Sequence, residues 1–182
     1  MRAIVSAAFI AKGAVPMPDD FSTQNNSSTA GCASAKTGLA IMRLGLGAMF
    51  LYVFFENLNK GLYSKDGYSG LISYYVQNSH APAFWKSIMS SAASHATVAG
   101  PLQGVAEISF GVFLLLGLLT RPVALAAFLF LTSLWISEWG TAWIWELLIP
   151  MIVSLSLTIG AAGRKWGIDA LIARKYPRLP LW

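Results

Sequence analysis

The sequence is poor in the side chains on which most redox and hydrolytic chemistry rests. It holds one cysteine, Cys32, and two histidines, His80 and His95, in 182 residues. A lone thiol excludes an internal disulfide, a paired redox thiol and a thiolate metal site. Both histidines lie outside the apolar runs, so no two helix-borne histidines face each other across a bundle, and neither haem nor a metal centre is expected. Charge is scarce as well. Only 12% of residues are Asp, Glu, Lys or Arg, where a soluble domain carries about 25%. A chain that is 55% hydrophobic and 13% aromatic cannot cover itself with polar surface, so its natural solvent is lipid, and its length leaves no room for a second sizeable core.

The net charge of +5 does not indicate nucleic-acid binding. The thirteen Lys and Arg stand almost entirely beside the ends of apolar runs, which is how membrane topology is encoded.

The organising stretch is Thr37 to Tyr63, TGLAIMRLGLGAMFLYVFFENLNKGLY. From Thr37 to Phe55 it is apolar apart from Arg43, about the 20 residues that a bilayer core demands of a helix. Span two is read from Val98 to Leu119. Thr120-Arg121-Pro122 comes next as a tight basic turn, with Pro122 suited to the first turn of the next helix. Span three then runs from Val123 to Ile136 and span four from Trp143 to Ala162, with Pro150 inside it. Residues 61–97 are too long for a simple turn. Their Tyr and Trp content suits the headgroup level, and His80-Ala81-Pro82 divides them into two short amphipathic pieces. The fold class is therefore all-α: an integral, multi-pass protein of the inner (plasma) membrane, built as a four-transmembrane-helix bundle with a long outer loop between spans one and two.

Residues 1–36 read as a flexible cytoplasmic arm rich in Ser, Thr, Asn and Gly, with a short interfacial helix at residues 2–11 as a variant. Residues 37–172 form the membrane domain, and residues 173–182 form a basic and aromatic tail. With both termini cytoplasmic, the inner side holds Arg2, Lys12, Lys36, Arg43, Arg121, Arg164, Lys165, Arg174, Lys175 and Arg178, against Lys60, Lys65 and Lys86 outside. That bias fixes the expected orientation.

The same orientation places four glutamates toward the outer half. Glu56 ends span one, Glu138 ends span three, Glu146 begins span four, and Glu107 lies about 14 Å below the outer start of span two. Gln103 sits one turn above Glu107, and Tyr52, Trp135, Trp139, Trp143 and Trp145 fall at similar depth. The result is an outward-opening pocket, with Glu107 and Glu56 as its acids and Gln103, Tyr52, Trp135, Trp139, Glu138 and Glu146 around the ligand. A flat apolar ring such as a quinone stacks on such aromatic groups, while a carboxyl hydrogen-bonds a carbonyl or moves a proton. The simpler account of Glu138, Glu146 and the tryptophans is an interfacial belt, and Glu56 beside Asn57, Asn59 and Lys60 also fits a satisfied helix end. Glu107, flanked by apolar residues well inside a span, is functional or makes an essential interhelical hydrogen bond. Arg43 reads as an inner-face anchor that snorkels. Gly45, Gly47 and Gly100-x-x-x-Gly104 signal close helix approach.

Three stretches carry a resemblance: RLGLGAMFLYVFFENLNKGLY, AEISFGVFLLLGLLTRPVALAAFLF and GAAGRKWGIDALI. Together they resemble the DoxX family, and the long loop rich in Tyr and Trp leans toward its DoxD branch, the small membrane subunit of thiosulfate:quinone oxidoreductase. The resemblance implies a four-helix membrane bundle that works with a partner subunit and passes electrons from a reduced sulfur compound to quinone. It carries over no catalytic motif, so the site rests on the membrane acids alone. Two functions are expected in order: a subunit of a quinone-linked oxidoreductase whose redox centres lie in a partner, or a non-catalytic anchoring subunit of a larger respiratory or photosynthetic complex. A solute or proton-coupled carrier ranks third, since no inverted repeat is detectable.

Overall fold

The computed structural model describes residues 20–160 and 162–176, and among these every regular element is helical. The interfacial helix expected at residues 2–11 lies outside the described residues, as does the end of the tail. The chain divides into two units after Ser34, and the unit from Ala35 onward holds the packed helices. The backbone of α1 spans Asp20–Asn59, so it begins inside the segment expected as a flexible arm. Its stretch Ser34–Asn59 is long and apolar enough to cross a bilayer, as are α4 (Ala96–Leu116) and α5 (Thr120–Ser137). Helix α6 (Ile144–Ile159) is apolar but has 16 residues, about 24 Å of rise against about 30 Å of hydrocarbon.

The long connection after α1 is a helical hairpin, α2 (Lys65–Asn78) and α3 (Ala83–Ser94), divided at His80-Ala81-Pro82 as the sequence indicated. Helix α1 ends at Gly61 (φ +70), with Gly61 N–H donating to the Leu58 carbonyl and Leu62 N–H to the Asn57 carbonyl. This pair of bonds is the Schellman ending, in which a left-handed glycine turns the chain out of the helix. The turn folds Tyr63 back over α4, and Ser64 then caps α2 by accepting from Gly67 N–H at 3.1 Å. The hairpin is tied to the far end of α5 by neutral groups: His80 N–H donates to the Trp139 carbonyl at 2.7 Å, and the Trp85 indole N–H to Ser137 Oγ at 2.9 Å.

Helices α1 and α4 meet where both lack side chains. A Cβ on Gly47 would lie 3.0 Å from the Leu115 backbone nitrogen, and one on Gly111 would lie 3.2 Å from the Gly47 carbonyl. Gly45, also expected to pack, faces open space. Around this approach Leu46, Phe50, Leu114 and Leu131 are buried, and the rings of Phe50, Phe110 and Phe130 lie within 5.3–6.4 Å of one another. Helices α5 and α6 pack along each other.

Two expectations about the basic end are corrected. The tight turn is Gly117-Leu118-Leu119, with Gly117 and Leu119 left-handed at φ +63 and +51, and Thr120-Arg121-Pro122 already form the first turn of α5. Arg43 does not snorkel: it is fully buried. The chain after α6 makes a 3-10 turn (Ala162–Arg164) and α7 (Ile168–Lys175), which cover it. Arg43 Nη2 donates to the Trp166 carbonyl at 2.9 Å. Asp169, also fully buried, accepts from Leu119 N–H at 2.7 Å and Thr120 N–H at 2.9 Å. The first turn of α5 is thus capped by an acid about fifty residues away, where helix N-termini favour negative charge.

Candidate functional site

A cavity of about 890 Å³ lies between the hairpin and the ends of α1, α4, α5 and α6, within the range of about 300–1,000 Å³ typical of small-molecule sites. Its wall is largely apolar, and its polar groups gather in two places.

The first is Glu107, 1% exposed, on α4. Its Oε2 accepts from the Tyr63 hydroxyl at 2.5 Å and from the Asn57 amide at 3.2 Å, and its Oε1 accepts from the Gln103 amide at 2.8 Å. Each donor has a positional cause. Gln103 is one helical turn before Glu107 on the same face, as the sequence indicated. Asn57 falls one heptad after the buried Phe50, so it shares the inward face of α1. Tyr63 is delivered by the Gly61 turn, and its ring lies between Phe54, stacked at 5.5 Å, and the bare Cα of Gly104, where a Cβ would come within 3.2 Å of the ring. The Tyr63 carbonyl likewise lies against Gly100. The Gly100-x-x-x-Gly104 pattern is a seat for this tyrosine, where the sequence suggested a contact between helices. Burial above all, then the bond to Glu107, pushes the Tyr63 phenol well above its ordinary value, so it remains a donor. Three neutral donors thus reach both oxygens of Glu107, the kind of hydrogen bonding that a buried carboxyl group needs.

The second polar place is Glu138, directly after α5, whose Oε1 accepts from the Tyr75 hydroxyl at 3.0 Å. Burial raises its carboxyl above the usual carboxylate range. The Tyr75 bond works against that rise and the charge of Glu146 adds to it. Glu146 lines the same cavity, as do Ser137 and Trp85.

The remaining expected site residues lie elsewhere. Glu56, one position from Asn57 and so turned by about 100° around α1, pairs with Lys60 at 2.7 Å on the exposed side and does not line the cavity. Tyr52 is 70% exposed on the outward face. Trp135 and Trp139 stack on each other at 5.9 Å, beside the cavity but outside its wall. Glu107, Gln103, Glu138 and Glu146 are therefore brought to one cavity, and Glu56, Tyr52, Trp135 and Trp139 are not. Asn57, Tyr63 and Tyr75 were missed as site residues. The signal for Asn57 was available in its spacing from Phe50, but none marked the two tyrosines, which a turn and a separate helix bring in. Among the described residues no group of His, Cys, Asp and Glu has the arrangement of a metal site.

Residues 38–138, more than half of the chain, match the DoxX family. The chain belongs to the DoxX family. No curated protein and no solved structure matches it. The part matching DoxX contains Asn57, Tyr63, Tyr75, Gln103, Glu107 and Glu138, so both polar places fall inside it. Glu146 and the Arg43-covering segment with Asp169 lie beyond its end. Family membership and three bilayer-length apolar helices agree on a membrane protein in contact with lipid.

Proposed function

We propose that this DoxX protein is the quinone-binding membrane subunit of an oxidoreductase, and that the cavity beneath the α2–α3 hairpin is the quinone site. The observation that carries the reading is Glu107, a buried carboxyl with three donors at the wall of an otherwise apolar cavity of ligand size. An apolar wall suits a quinone ring and tail, and a carboxyl at that wall exchanges a hydrogen bond or proton with the ring oxygen. The electrons come from a partner protein that oxidises a two-electron donor. The DoxD-like character of the tyrosine-rich hairpin favours a reduced sulfur compound as that donor. Helix α6 completes a four-span bundle in the inner plasma membrane, with both termini cytoplasmic. The basic residues that cluster at the end away from the hairpin support that orientation.

Quinone titration of the purified protein in nanodiscs, read by quenching of tryptophan fluorescence, tests this reading directly. Saturable quenching is expected, weakened at least about tenfold (about 1.4 kcal/mol) in Glu107→Gln. Quenching that grows linearly with quinone and ignores Glu107→Gln would refute it.

A second reading, a non-catalytic anchoring subunit of a larger complex, is favoured by one feature. The three donors on Glu107 tie α1, the turn after it and α4 together, as an interhelical clasp would. Under that reading Glu107→Gln lowers stability, and quinone does not bind to the wild-type protein.

A further inference from the structure

The Glu107 array uses only one of the two polar places in the cavity. The other repeats its chemistry: a carboxyl bonded by a tyrosine hydroxyl, Tyr75 on Glu138 as Tyr63 is on Glu107. Both tyrosines come from the segment between α1 and α3, and both carboxyls come from the apolar helices beneath. Phe50, Phe130 and Leu131 line the same cavity, so a flat ring meets hydrocarbon there and a carboxyl at each polar place.

Fastening the hairpin does not account for Glu138. The bonds from His80 N–H to the Trp139 carbonyl and from Trp85 to Ser137 already hold the hairpin with neutral groups. An ionisable acceptor in a mostly buried position adds a desolvation cost that a clasp does not require. Glu138 faces Tyr75 from α2 and Glu146 from α6. On α3 Trp85 lines the same cavity but donates to Ser137, and the His80 ring lies against Gly140 two residues on. No ion pair with Glu138 occurs among the described residues.

We infer that Glu107 and Glu138 are two proton-transfer groups of one site, each serving one oxygen of a bound quinone. The inference rests on the quinone reading above. Reduction of quinone to quinol takes up two electrons, supplied by a two-electron reductant on a partner protein, and two protons. At each oxygen the carbonyl becomes a hydroxyl as a carboxyl O–H bond breaks. The carboxylates left behind are stabilised by the hydroxyl donors Tyr63 and Tyr75, with Asn57 and Gln103 adding to the first. Water at the hairpin end returns the protons. The raised carboxyl of Glu138 keeps its proton to higher pH than an exposed glutamate does, as a proton donor requires.

The test is infrared difference spectroscopy of the full chain in nanodiscs loaded with decyl-ubiquinone and reduced electrochemically through a mediator, with quinone binding measured separately by tryptophan quenching. Two carboxyl bands should change on reduction. Glu107→Gln should remove one and Glu138→Gln the other, while Tyr75→Phe should shift the Glu138 band without removing it. Bound quinone with a single carboxyl band, lost in Glu107→Gln, overturns the inference and leaves the site standing. So does a spectrum that Tyr75→Phe leaves unchanged, a check that holds even if Glu138→Gln does not fold. Wild-type protein that binds no quinone removes the site and the inference together.

Discussion

Arg43 reaches across 123 positions of sequence to donate to the Trp166 carbonyl, with its guanidinium wholly enclosed by protein. Gly117 and Gly167 leave the room it needs. A Cβ on Gly117 would stand 1.5 Å from Arg43 Nη1, and one on Gly167 would stand 2.8 Å from it. Among the described residues Arg43 Nε and Nη1 have no hydrogen-bond partner, and the opposite charge of Asp169 acts on the guanidinium. This knot explains the Gly163-Arg164-Lys165-Trp166-Gly167-Ile168-Asp169 sequence as architecture. Trp166, like Leu119, is held in the left-handed region at φ +56, a cost that persists only where the surroundings fix it.

Replacing Asp169 with Ala is expected to strip the acceptor from two helix-start N–H groups, each costing about 1–3 kcal/mol when left unpaired. Asp169→Asn keeps one acceptor oxygen and should lose less. Thermal unfolding in detergent, followed by circular dichroism, ranks the two. Equal stability of Asp169→Ala and wild type would show that the capping contributes nothing.

Gly117→Ala combines a left-handed backbone, which costs a non-glycine residue about 1–2 kcal/mol, with overlap onto Arg43. It should be among the most damaging single-methyl changes in the chain. Gly45→Ala, which meets nothing within 4 Å, should be neutral or slightly stabilising because alanine favours the helix by up to about 1 kcal/mol. A stability scan of the two variants side by side checks the contrast.

The α1–α4 approach gives a subtler ranking. A methyl on Gly111 meets the Leu51 side chain first, at 2.6 Å, which can rotate away, and one backbone atom, the Gly47 carbonyl, at 3.2 Å, whereas one on Gly47 meets two backbone atoms, the Leu115 nitrogen at 3.0 Å and the Gly111 carbonyl at 3.1 Å. Backbone cannot yield without separating the helices. Gly47→Ala is therefore expected to destabilise more than Gly111→Ala, by about 1–3 kcal/mol in absolute terms as overpacked sites do. The reverse order would mean that Leu51 is locked and the helices are free to part.

Much of this fold was legible because lipid imposes a coarse code. Apolar length marked α1, α4 and α5, and His80-Ala81-Pro82 marked the break in the hairpin. Glu107 stood out because an acid flanked by apolar residues inside a span needs partners. What was not legible is which partners. The sequence drew attention to Glu56 as the acid of the first span, but the helical period that buries Arg43, Leu46 and Phe50 turns Asn57 inward and Glu56 out to Lys60. Tyr63 reaches Glu107 only because Gly61 reverses the chain, and Arg43 is buried only because the segment after α6 returns over it. Both are tertiary events with no local pattern.

Tyr63→Phe keeps the ring between Phe54 and Gly104 and removes one donor from Glu107. A hydrogen bond contributes about 0.5–1.5 kcal/mol net, and a loss of that size is expected in the otherwise native protein. In a Glu107→Gln background the same change should cost less, the difference being the coupling of about 0.5–3 kcal/mol that contacting residues show. Additive losses in this double-mutant cycle would mean that the 2.5 Å contact carries no energy of its own.

Stability should also depend on pH through Glu138. Its carboxyl is raised in the folded protein, chiefly by burial and further by Glu146, so the folded chain holds this proton more tightly than the unfolded chain, where the group titrates near its ordinary value of about 4.3. The contribution is fully present below that value and is lost as pH rises through the raised one, because the folded state then keeps a proton, or carries a buried charge, that the unfolded state does not. Unfolding midpoints measured from pH 4 upward should therefore fall across this window in wild type. Glu138→Gln, which still accepts from Tyr75 but does not titrate, should flatten that part of the profile while leaving its acidic end nearly unchanged. A slope that survives in Glu138→Gln would assign the effect to another group, Glu146 first, since it faces the same cavity.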